Sequence, residues 1–158
     1  MRIAKIVLVV MLAFLGMSGL LNLANWDGGR SMVEAITSMS GIPEPERPSW
    51  ATANRMITIL GIAFIAFGKI SAGVCCAVGA TRMWRARDAS ADAFQSAKTW
   101  ALIGAAIFLT LFFGGFMYVA GIYFMGWRTE LGTMSADWAF TLGASVALTT
   151  LLVLQRDP

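Results

Sequence analysis

The sequence predicts an all-α membrane protein of four transmembrane helices with a short amphipathic helix in the first outer loop, and three observations carry that prediction. Long apolar runs occupy Ile6–Ala24, Met56–Thr81, Ala101–Gly126 and Ala139–Leu154. All six tryptophans, Trp26, Trp50, Trp84, Trp100, Trp127 and Trp138, stand at or near the ends of those runs, where an indole leaves its apolar body in hydrocarbon and its N–H among headgroups. Apolar residues make up 58% of the chain and charged residues 13%, a balance too apolar for a soluble domain. No stretch remains for a second folded unit, so residues 1–158 read as a single transmembrane domain.

The first run could pass for a secretory signal, because Arg2 and Lys5 precede Ile6–Leu15 and the small residues Gly16-Met17-Ser18-Gly19 follow. Its apolar character continues through Leu20, Leu21 and Leu23 to Trp26, which is the length of a span, so the expectation is a retained first helix. A hydrocarbon core of about 30 Å takes roughly 20 helical residues. The second and third runs exceed that length and must tilt or project, whereas the fourth is near the lower limit.

Residues 27–49 are the least apolar part of the chain. Ser31 followed by Glu34 fits a capping box, Met32, Ile36 and Met39 share one helical face with Val33 beside them, and Gly41 is a natural stop. Pro43, Pro45 and Pro48 then impose an extended segment, after which Ser49 is placed to cap the second span. The expected element is a helix lying on the outer membrane surface, because its charged residues would be costly at depth in a re-entrant position.

Positive charge sets the expected orientation. Arg2, Lys5, Arg82, Arg85, Arg87, Lys98 and Arg156 fall on one side, and Arg30, Arg47, Arg55 and Arg128, interspersed with acidic residues, fall on the other. Both termini are therefore expected to be cytoplasmic, with the first and third loops outside. The basic balance is topogenic charge facing anionic lipid, and no basic patch with interleaved aromatics suggests nucleic acid.

Lys69 is the residue that the bilayer does not explain. It lies near the centre of the second run, about 18 Å from either end by helical rise, too deep for its stem to reach water. Three roles are open: a cation held by neutral acceptors such as Ser71, Thr110, Tyr118, Ser145 or Thr149; a cation paired with a group supplied by a partner subunit or a lipid; or part of an ion path. The last is weakest, since the chain has no histidine. Beside Lys69, Gly68, Ala72, Cys76 and Ala80 stand at four-residue spacing, a row of small residues that lets helices approach closely and that more often packs a bundle's own interior than an external docking face. Lys69 with Gly68, Ala72 and Cys76 is the candidate contact for a partner or lipid. Asn22, Asn25 and Asp27 form a further candidate polar cluster at the outer end of the first span.

The absence of histidine excludes the usual haem and copper ligation and any serine–histidine triad. Cys75 and Cys76 are adjacent and lipid-embedded, the wrong spacing for a redox or zinc pair. No catalytic, cofactor or metal site is expected.

Several segments carry a family resemblance. They are Leu21-Asn22-Leu23-Ala24-Asn25-Trp26-Asp27, the loop around Met32–Met39, Arg82-Met83-Trp84-Arg85-Ala86-Arg87 with Phe94 and Ala97-Lys98 after it, and Tyr123-Phe124-Met125-Gly126-Trp127. In these the chain resembles the domain of unknown function 2165 family of bacterial small integral membrane proteins. The resemblance implies a four-helix protein of the bacterial inner membrane and assigns it no activity. The expected function is that of a non-enzymatic accessory or assembly subunit docking to other membrane subunits of a respiratory or photosynthetic complex. The alternative is a small oligomeric transporter or channel.

Overall fold

Every regular element is helical in the computed structural model of the protein, which describes residues 1–156. In chain order these are α1 (Arg2–Ala24), α2 (Trp26–Thr37), α3 (Arg55–Arg85), α4 (Ala91–Ala97), α5 (Thr99–Leu109), a π-helical segment (Thr110–Tyr123) continuing from α5, a short 3-10 turn (Gly126–Arg128) and α6 (Glu130–Leu154). Four stretches, Arg2–Ala24, Arg55–Arg85, Ala91–Tyr123 and Glu130–Leu154, are long and apolar enough to cross a membrane, one for each apolar run. Each starts earlier than its run. α3 has 31 residues, about 46 Å of helix, so it projects or tilts as its length requires. α6 begins at Glu130 because the Thr129 hydroxyl accepts from the Gly132 amide at 3.1 Å, and the polar turns that follow stay helical outside the apolar window.

The first connection corrects several expectations of local structure. α2 starts at Trp26, directly after the end of α1, with Asn25 alone (φ −111°, ψ 50°) turning the chain. Ser31 is therefore inside the helix and caps nothing: its hydroxyl donates to the Asp27 carbonyl at 2.9 Å, the usual resource of an interior serine. Glu34 pairs with Arg30 at 3.2 Å rather than reaching back to Ser31. The helix stops at Thr37, before Gly41, and it is Met39 that adopts the left-handed conformation (φ 50°). Ser49 does not cap the second span either. That role falls to Asn54, whose Oδ1 accepts from the Met56 amide at 2.8 Å.

Close approach of backbones organises the bundle. α1 and α3 cross at paired glycines: a Cβ on Gly73 would lie 2.8 Å from the Gly16 Cα and 3.0 Å from the Ala13 carbonyl. α3 and α5 touch in the same way, a Cβ on Gly104 falling 2.6 Å from the Ala72 carbonyl and one on Gly79 2.8 Å from the Ala101 Cα. Without a hydrophobic force between helices in lipid, such contact depends on small residues. α6 closes the bundle, and Val9, Phe108, Leu111, Phe112 and Val146 fill its centre.

At the face carrying the termini, basic side chains act as structural ties. Lys5 and Lys98 are buried, and both donate to the Gln155 carbonyl, at 2.6 and 2.8 Å, where the C-terminus of α6 leaves carbonyls unpaired and the helix dipole favours cations. The Phe94 ring is buried beneath Arg2 and Lys98, 5.0 and 5.2 Å from its centroid. Arg2 also donates to the Arg87 and Ala89 carbonyls. On the opposite face, Arg128 pairs with Glu46, and the Trp50 indole donates to the Tyr123 carbonyl at 3.3 Å.

Candidate functional site

α3 runs closely along α5 but parts from the π-helical segment that continues it. The divergence leaves a chamber of about 460 Å³ in the half of the bundle away from the termini, bounded by α3, the π segment and α6, with the end of α1 and α2 over it. Its volume is in the usual range for small-molecule sites.

α2 forms the roof. Met32, Val33 and Ile36 line the chamber, so the apolar face read from the sequence covers this interior rather than lying only on lipid. Met39 of that predicted face is buried beyond the helix end. Two glycine contacts seat the roof on α3: Val33 stands over Gly61, whose Cβ would be 2.7 Å from Val33 Cγ1, and Ile62 stands where a Gly29 Cβ would project.

The π segment forms one wall. Leu111, Gly115, Val119 and Phe124 all line the chamber at steps of four, four and five residues. An α-helix would spread those positions around its circumference, whereas i→i+5 bonding widens the turn and holds them on one side. The Phe124 amide still follows the wide pattern, donating to the Val119 carbonyl at 3.0 Å. Gly115 leaves the wall open opposite Phe64, with its Cβ position 3.3 Å from the Phe64 ring. Ile57, Phe64, Val119 and Trp138 line the chamber and are also exposed, which carries its rim to the lipid-facing surface.

Polar groups are few and concentrated. Thr37 and Ser135 are buried in the lining, but each donates its hydroxyl proton to its own helix, to the Glu34 carbonyl at 3.4 Å and the Leu131 carbonyl at 2.7 Å. Lys69 and Asn22 also line the chamber, and the Lys69 ammonium donates to Asn22 Oδ1 at 3.1 Å. Among the described residues Lys69 makes no ion pair and this one hydrogen bond. A cation at this depth costs about 3 kcal/mol on insertion scales, and one neutral acceptor occupies one of its three N–H donors.

The structure thus joins two candidates that the sequence reading kept apart, Lys69 and Asn22, and separates others. Asn25 and Asp27 are exposed where α1 passes into α2, whereas Asn22 is half-buried in the chamber wall. Ala72 and Cys76 are fully buried inside the chain's own bundle, against α5, and Gly68 meets Leu111. At Ala72 and Cys76 the small-residue row packs against the chain's own α5, which is its internal-packing reading and leaves those two residues no contact with a partner or lipid. Missed from sequence was the pairing of Lys69 with Asn22: 47 residues separate them, and only the crossing of α1 and α3 brings them together. The π wall was missed as well, its one sequence trace being the Gly114-Gly115 pair inside an apolar run. No group of histidine, cysteine or acidic residues suited to a metal ion occurs among the described residues.

The family described as predicted small integral membrane protein, domain of unknown function 2165, matches residues 1–156. No curated protein and no solved structure matches the chain.

Proposed function

The chain belongs to the domain of unknown function 2165 family of predicted small integral membrane proteins, and from that premise we propose that it is a non-enzymatic binding protein that holds an apolar small molecule within the bilayer. The observation that carries this reading is the chamber between α3 and the π segment, whose walls are apolar except for the Lys69–Asn22 pair and the hydroxyls of Thr37 and Ser135, both bonded to their own helix backbones. Orientation follows the charge asymmetry, with the termini cytoplasmic in a bacterial inner membrane and the chamber in the outer half.

An accessory-subunit role is the reading for a small chain without evident chemistry that carries an unpaired Lys69 and an outer amphipathic helix. Lys69 is held by Asn22 and the apolar face of α2 lines the chamber, so neither feature favours docking over binding. Nor does a conducting path have support. Leu111 and Phe112 close the chamber wall, and Val9, Phe108 and Val146 pack with them in the buried core.

Lipid analysis of the protein extracted in mild detergent tests the proposal. Wild type should retain an apolar molecule in stoichiometric amount, and Gly115→Phe, which projects a ring into the chamber, should lose it while remaining folded. Equal lipid content in the two proteins, or stoichiometric recovery only of a larger complex, would contradict the binding reading.

A further inference from the structure

We infer that the occupant of the chamber is a single-chain amphipath with a carboxylate head, seated head-first on Lys69 and Asn22. The inference rests on the binding reading above and specifies its ligand class.

The donor geometry selects the head. Asn22 Oδ1 is engaged by the Lys69 ammonium at 3.1 Å, which leaves the ammonium with two further donors and the Asn22 side chain with its NH2 group. A cation and an amide NH2 held side by side match the two oxygens of a carboxylate. The cation supplies the charge-assisted bond and the amide satisfies the second oxygen. One positive charge balances one negative charge, whereas a phosphate dianion would keep a surplus charge in an apolar wall. Thr37 and Ser135 have spent their protons on the Glu34 and Leu131 carbonyls and offer no second donor site.

Depth selects the single chain. Lys69 lies 14 residues along α3 from Arg55, about 21 Å of helical rise. A phospholipid, whose headgroup is held at the interface above its two chains, would have to draw that whole headgroup into hydrocarbon to reach that depth. A carboxylate carries little polar bulk with it. Behind the head, Ile65, Leu111, Phe112, Gly115 and Phe116 offer an apolar sleeve leading to a lipid-facing rim at Phe64 and Val119.

The test uses the full chain in phosphatidylcholine nanodiscs and a diazirine-bearing dodecanoate, with crosslinked peptides mapped by mass spectrometry. Labelling should fall on the π segment and α6. Unlabelled dodecanoate should displace it at a concentration at least about tenfold lower than dodecanol. Lys69→Met should erase that difference and Lys69→Arg should keep most of it. The wild-type comparison of acid with alcohol stands even if a variant fails to fold. Equal competition by dodecanol, with labelling still abolished by Gly115→Phe, would overturn the carboxylate assignment and leave the apolar chamber standing. Competition by phosphatidylglycerol but not by dodecanoate would assign the site to an anionic phospholipid and overturn the single-chain inference. Labelling that avoids the chamber wall and ignores Gly115→Phe would overturn both this inference and the binding reading.

Discussion

Lysines carry opposite meanings in this molecule according to what surrounds them. Lys5 and Lys98 look in sequence like topogenic charge at a membrane edge, yet both are buried on the Gln155 carbonyl. Lys98→Met should therefore lower unfolding stability in detergent by about 2 kcal/mol, the scale of a charge-assisted hydrogen bond. Arg85→Met, at an exposed residue with no partner role in the bundle, should change it by less than about 0.5 kcal/mol. Thermal unfolding of the two variants side by side checks the contrast. That Lys69 is anomalous was legible from its position alone, since no neighbour in the sequence offsets its charge. Its partner was not, because Asn22 sits on another helix and the choice among neutral acceptors is made by packing. Asn54 shows the limit at shorter range: several polar residues precede α3, and which of them caps it depends on how the loop from Ser38 is folded back by the hydrogen bond from the Thr52 amide to the Thr37 carbonyl.

Elements were legible where they answer to the bilayer and less so where they answer to one another. The four apolar runs gave the four spans because hydrocarbon dictates their length and composition. The helical extensions beyond the runs, the direct passage from α1 into α2 and the π wall follow from contacts that periodicity does not contain. The α1–α3 crossing makes one prediction. Gly73→Leu must push the helices apart at Gly16 and should cost at least about 1–3 kcal/mol, the range for overpacking. Gly114→Ala, whose Cβ would meet only the Thr110 methyl at 3.9 Å, should stay within about 0.5 kcal/mol of wild type. Denaturant titration followed by tryptophan fluorescence separates the two. The π segment makes another. Deleting Gly114 shifts the following wall by about a quarter turn, so Val119 and Phe124 leave the chamber. Circular dichroism should keep its helical signal while binding of an apolar probe is lost, whereas unchanged binding would show that the wall does not depend on the wide helix.

On the scale of the whole molecule, the bundle is tight toward the termini and open toward the other face, and its charge asymmetry predicts cytoplasmic termini. Single cysteines at Glu44, Ala91 and Thr133, on a background with Cys75→Ser and Cys76→Ala, should react with an impermeant thiol reagent from outside, inside and outside respectively. External labelling at Ala91 would reverse the orientation and put the chamber in the inner half of the membrane. In the proposed function, the space between α3 and the π segment receives an apolar molecule. Diffraction from crystals of the protein soaked with an iodinated dodecane tests it most directly, because the anomalous signal of iodine locates the probe without assumptions about affinity. An iodine peak is expected among Phe64, Leu111, Val119 and Ala139, and it should be lost in Gly115→Phe crystals. Iodine found only along the outer lipid-facing surfaces of the helices, with the same pattern in wild type and variant, would contradict it.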